Sequence, residues 1–116
     1  MAGTWMKDRI IRLRWKKNYP EARNHVAIGK VLHENSVYLV IRCRTFHFQK
    51  IMGGSTRGIL EGEVCVRMIP WDVIEVMHEL EPDTRFDASL AVDSRGNIVL
   101  HNKYMTMIAR AQDFGE

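Results

Sequence analysis

Eleven consecutive residues near the N-terminus, Lys7-Asp8-Arg9-Ile10-Ile11-Arg12-Leu13-Arg14-Trp15-Lys16-Lys17, hold six basic side chains against one acid, with an indole among them. Such a segment can neutralise phosphates while the indole stacks on a base, so Arg12, Arg14, Trp15, Lys16 and Lys17 are candidates for nucleic-acid contact. Two other readings stand beside this one. The segment could be a solvated basic face, or it could meet the acidic half of a neighbouring subunit. Trp15 could also point inward, because it alternates in step with Ile11 and Leu13.

Other chemistry has little footing in the chain. None of His25, His33, His47, His78 and His101 is followed at two to five residues by the second histidine or cysteine that a metal site usually needs. His78-Glu79 begins like the zinc hydrolase pattern HExxH, yet Pro82 follows and no second histidine completes it. No GxSxG elbow is present. Asp72, Glu75 and Glu79 would share one face if their segment were helical and could then do acid and base work; on a strand they scatter, as a solvated face or as partners for the basic half. Met52-Gly53-Gly54-Ser55-Thr56-Arg57-Gly58 has the glycines of a phosphate-binding loop but neither its lysine nor a following helix, and reads as a hairpin tip. No catalytic residue, metal or cofactor is assigned, and an enzyme is not expected.

The elements that must position these residues belong to one domain of 116 residues, 46% hydrophobic and 27% charged, long enough to bury a core. The net charge of +3 conceals polarity along the chain: the first fifty residues carry eleven Lys or Arg against Asp8, Glu21 and Glu34, and the rest carry six against eleven acids. The longest run of Val, Ile, Leu and Tyr, Val37 to Ile41, is far too short for a membrane span, and charges interrupt any signal-peptide core, so a cytoplasmic address is expected. Cys43 and Cys65 form no CxxC pair and read as reduced core residues.

Residues 9–16 alternate like a strand, while Met6, Ile10 and Leu13 also share a helical face; both readings stay open. Residues 18–24, around Pro20, form a loop. Val26 to Leu32 is a strand, Glu34-Asn35-Ser36 a turn, and Val37 to Phe48 a long strand. Its apolar set is first odd (Val37, Leu39, Ile41, Cys43) and then even (Phe46, Phe48), which predicts a bulge or bend near Arg44 and Thr45. Val64 to Met68 is a further strand ending at Pro70. The segment 71–80 fits a strand better than a helix, because Val73, Ile74 and Val76 are β-branched. Residues 88–100 read as a hairpin turning through Gly96 and Asn97, both suited to positive φ, and the tail from Arg110 as frayed.

This order, a basic leader followed by five strands with a bend and a Gly-rich tip, resembles the Sm-like (LSm) family of small, strongly bent five-stranded barrels, over residues 20–80. The stretch from Gly29 to Leu39 is similar to the first family motif, with Gly29 at the strand-one glycine, Glu34 where the family has aspartate and Leu39 at the buried leucine. The stretch from Gly62 to Met68 is similar to the second, Val66-Arg67 standing for its Ile-Arg pair. Tyr38 occupies the place of the base-pocket asparagine and Met68 that of the glycine after the arginine, so only Arg67 matches the residues that grip a uracil-like base. The hairpin beyond residue 80 is an addition to the barrel.

The resemblance implies a mainly β, Sm-like or SH3-like barrel assembling into a homo-oligomeric ring, in which the strand bearing Val64, Val66 and Met68 pairs with the neighbour's strand bearing Val73, Ile74 and Met77. Both segments are rich in apolar residues and lack a lysine or internal proline to blunt a free edge. The resulting expectation is a ring that binds single-stranded RNA or another nucleic acid through Arg12, Arg14, Trp15, Lys16, Lys17, Tyr38 and Arg67. The alternative is a module of the same shape that assembles with protein and ignores nucleic acid.

Overall fold

A computed structural model describes residues 5–17, 25–48 and 59–110. The described residues are mainly β and contain no α-helix. Among the described residues nine strands occur in chain order: β1 (Ile10–Trp15), β2 (His25–Glu34), β3 (Tyr38–Phe48), β4 (Ile59–Glu61), β5 (Cys65–Pro70), β6 (Ile74–Glu79), β7 (Leu90–Val92), β8 (Ile98–Leu100) and β9 (Met107–Ala109). A 3-10 turn, Trp71–Val73, joins β5 to β6.

The first six strands form one antiparallel sheet in the order β4-β3-β2-β1-β6, with β5 also paired to β3. β3 is long enough to use one edge twice, meeting β5 from Tyr38 to Cys43 and β4 from Phe46 to Phe48. β7, β8 and β9 form a second antiparallel sheet. The sheets are not closed into a barrel: among the described residues no ladder joins the outer strands β5 and β6.

Alternation assigns each strand residue to one of two faces, and both faces are buried in part. On the odd face, Ile11 and Leu13 of β1, Ala27 and Val31 of β2, Leu39, Ile41 and Cys43 of β3, and Ile69 of β5 form one core, with Met6 at its end. On the even face, Val26, Ile28, Phe46 and Phe48 form a second core against Ile98, Leu100, Ile108 and Ala109 of the small sheet. β1 resolves the choice between helix and strand, because as a strand it completes ladders on both sides, to β2 and to β6. Asp8 enters it through positive φ (70°), its N–H donating to the Val31 carbonyl at 2.8 Å. The leader is thus a central strand of the sheet.

The double core accounts for the parity change in β3, and the expected bulge is not at Arg44 and Thr45. β3 pairs with β2 without a register shift at Arg44 and Thr45; the irregularity lies in β2, between Val31 and His33. The apolar set changes parity because the buried face changes, from the odd core to the even core under the small sheet. Four successive residues, Cys43 to Phe46, are consequently buried. The hairpin forms as expected, with Gly96 at φ 82°, but Asn97 keeps negative φ and instead donates its backbone N–H to the Asp93 carboxylate at 2.9 Å. The segment 71–80 is the expected strand only from Ile74, the 3-10 turn preceding it. Cys43 is buried as expected, whereas Cys65 is exposed, because β5 lies at the rim and buries only Ile69. Strands β4 and β9 are additional to the sequence reading. The loops read at 18–24 and 52–58, and the tail from 111, fall outside the described residues.

Arg44, 9% exposed, ties the sheets together. Its guanidinium donates to the Phe86 carbonyl at 3.0 Å, to the Ala88 carbonyl, and to Glu61 at 2.8 Å. Arg44→Met keeps the aliphatic stem and removes the donors. Hydrogen bonds to charged groups contribute about 1.5–3 kcal/mol each, so the variant should lose at least about 1.5 kcal/mol, read as a lower urea midpoint.

Candidate nucleic-acid interface

Strand parity sorts the basic leader. Arg12 and Arg14 stand opposite Ile28 and Val26 on the even face, whereas Trp15 stands on the odd face with Ile11 and Leu13. Where the large sheet meets β9, Arg12, Arg14 and Arg110 line a cleft of about 270 Å³ together with His78, over Val26, Val76, Met107 and Ile108. Arg12 donates to the Met107 carbonyl, and its other terminal nitrogen lies 3.2 Å from His78 Nδ1. Arg14 meets Glu75 at 2.8 Å, a pair exposed enough for a competing anion to reach. Burial chiefly, then the charges of Arg110 and Arg14, push the Arg12 pKa down. The cleft therefore gathers positive charge at an electrostatic cost that a bound anion would relieve.

A second hollow, about 380 Å³, continues from the first through Arg12 and Met107 and is lined further by Glu79, Glu81, Thr84, Tyr104 and Met105. The loop at its rim is held by Asn102, whose Oδ1 accepts from the N–H groups of Tyr104 and Thr106 at 3.1 and 3.2 Å. Met105 takes positive φ (47°) there, a conformation unusual for a side chain of its kind, and it remains exposed beside Tyr104.

The other anticipated residues lie apart from this seam. Trp15 is stacked on His25, ring centroids 4.0 Å apart and planes at 11°, and His47 stands next in line at 5.0 Å. Trp15 also packs partly against the odd core, so its inward reading describes its place. Lys16 and Lys17 are exposed beyond the end of β1. Tyr38 pairs with Pro70 and Arg67 with Ile41, which puts Tyr38 and Arg67 on opposite faces of the β3–β5 ladder; the structure does not bring these two together. Val66 and Met68 are exposed on β5, with Val64 half-buried before it; Val73, Ile74 and Met77 pack partly against the odd core. Glu75 and Glu79 pair with Arg14 and Arg9 across the β1–β6 ladder, the role of partner to the basic half.

Sequence reasoning missed Arg110, His78, Tyr104 and Met105 as companions of Arg12. The available signal was the run Met107-Ile108-Ala109, which is β9 and carries Arg110 to the cleft. Among the described residues, no group of three or more His, Cys, Asp or Glu is gathered to hold a metal, and no helix is long and apolar enough to cross a membrane. No family model, curated protein or solved structure matches this chain.

His25 supplies a test of the stacked group. Burial first, then the neighbouring His47 and Arg67, bring its pKa down from 6.5 to about 4. Above pH 6.5 the imidazole is neutral in both folded and unfolded chains; below it the unfolded chain takes up the proton first, and stability falls until the folded pKa is passed. The melting temperature should therefore decline between pH 6.5 and about 4. His25→Phe, which keeps a ring on Trp15, should flatten that decline; an unchanged profile would remove His25 as its source.

Proposed function

We propose that this protein binds single-stranded nucleic acid, RNA in the first instance, along the seam between its two sheets, and that it acts as a homo-oligomer joined edge to edge. The observation that carries the reading is the convergence of Arg12, Arg14 and Arg110 on one nucleotide-sized cleft with an apolar floor. Guanidinium groups suit phosphate because they present several donors in a fixed plane. Tyr104 and Met105, exposed on the hollow that continues from the cleft, offer surface for a base. Among the described residues, the acidic half of the chain supplies Glu75 and Glu79 to the neighbouring arginines, while Arg12 meets a carbonyl and an imidazole instead of a carboxylate.

Self-association has its own support. β5 and β6 each have one ladder partner among the described residues, leaving one edge of each open. The Trp71 N–H donates to the Val37 carbonyl, which fixes the phase of the β3–β5 ladder. In that phase the N–H groups of Val66 and Met68 point away from β3, toward the open edge. Val66 and Met68, on one face of β5, are 57% and 62% exposed, apolar surface that equally suits the alternative, a module of Sm-like or SH3-like shape that assembles only with protein.

Ionic strength separates the two readings. Binding of an oligonucleotide should weaken steeply with salt. Alanine at Arg12, Arg14 or Arg110 should flatten the slope of log K against log salt by about 0.7 for each single-strand phosphate that is no longer neutralised. If the triple variant binds oligo-uridine and oligo-adenosine like the parent at low salt, the nucleic-acid reading is wrong and the protein-assembly reading takes its place. For assembly, light scattering should give a multiple of 13.5 kDa. Val66→Pro should reduce it to the single chain, since proline removes an outward donor while sparing the ladder to β3. A wild-type monomer at micromolar concentration would end the edge-to-edge proposal.

A further inference from the structure

Cys43 and Cys65, far apart in the chain, are direct partners in the β3–β5 ladder. Residues directly opposite in an antiparallel pair project to the same face. The Trp71 to Val37 hydrogen bond fixes the phase, and the two-residue period carries it to Leu39 and Ile69, Ile41 and Arg67, and then Cys43 and Cys65. Their Cα atoms therefore stand in the hydrogen-bonded spacing of about 5.5 Å, within the ~4.4–6.8 Å range of disulfides. Both thiols are free. They differ in access, Cys43 being buried in the odd core and Cys65 exposed on the rim.

We propose that Cys43 and Cys65 are a redox couple, oxidised by a small-molecule disulfide of the glutathione type to a cross-strand disulfide that pins β5 to β3. This inference does not depend on nucleic-acid binding. The Cys65 thiolate, the one a solute can reach, attacks one sulfur of the reagent and expels the other half as a thiolate, which takes up a proton. The Cys43 thiolate then attacks the Cys65 sulfur of the mixed disulfide and expels the second half. Two protein thiols and one reagent disulfide become one protein disulfide and two reagent thiols, and two electrons pass from the cysteines to the reagent. Burial pushes the Cys43 thiol up to about 11, so little of it is thiolate at neutral pH, and the second step relies on the mixed disulfide being held directly opposite it in the ladder; the nearby charge of Arg67 favours its thiolate. The bond would close the chain segment between β3 and β5 and hold covalently an edge strand of which only Ile69 is buried.

The experiment treats the folded wild-type chain with excess oxidised glutathione, alkylates remaining thiols, and determines the intact mass and the cross-linked peptide. The expected product is a single chain lighter by two hydrogen atoms, with no alkylated cysteine, and returned to two thiols by a dithiol reductant. Cys43→Ala should stop at a glutathione adduct on Cys65. Cys65→Ser, altered only at an exposed position, should leave Cys43 unmodified. Accumulation of the adduct in the wild type, two thiols still open to alkylation, or a disulfide between chains would each overturn the proposal.

Discussion

β3 has to satisfy neighbours on both edges and both faces, and the rest of the fold follows from how it does so. One edge is given wholly to β2; the other is divided between β5 and β4. Its odd face supplies Leu39, Ile41 and Cys43 to one core and its even face supplies Phe46 and Phe48 to another. Four buried residues in succession can be accommodated only where the sheet is covered on both sides, and the small sheet provides that cover. Arg44, in the middle of the run, cannot be buried without partners, and it recruits the carbonyls of the segment leading into β7. The C-terminal strands are thereby a structural layer over the even face rather than an appendage to a finished barrel.

Close packing within the large sheet leaves its mark on Gly29. A Cβ there would lie 2.1 Å from the Arg42 carbonyl oxygen and 2.5 Å from the Cys43 Cα, so β2 and β3 approach at a distance that only glycine permits. This gives a local reason for a glycine inside a strand, where its lack of a side chain would otherwise weaken the ladder.

Much of the strand content was legible because alternation is a local property. The pattern of Val26 to Leu32, of Val37 to Phe48 and of the hairpin through Gly96 was sufficient to place those strands to within a few residues. The parity change in β3 was also legible, but its cause was not: a bulge and a change of covering layer leave the same trace in sequence, and the unshifted β2–β3 register with Ile98, Leu100, Ile108 and Ala109 packed on the even face distinguishes them. β4 and β9, three residues each, are too short to establish a period. The arginine cleft was half visible. Arg12 and Arg14 stood out by local density, whereas Arg110 is separated from them by most of the chain and joins them only through the stacking of the two sheets. The charge asymmetry between the halves is real, yet part of it is neutralised within the molecule, where Arg9 and Arg14 meet Glu79 and Glu75 across one ladder.

The placement of β1 between β2 and β6 has a consequence for synthesis. Of these strands it emerges first, and β2, which begins ten residues after it ends, can pair with it soon afterwards, but its second ladder runs to Ile74–Glu79. At about 5–20 residues per second, the ribosome needs several seconds to deliver those residues. Throughout that interval β1 is an unfinished edge carrying Ile11 and Leu13, and the odd core lacks its last wall. The nascent chain must be shielded, or must pair provisionally, until that second ladder can form.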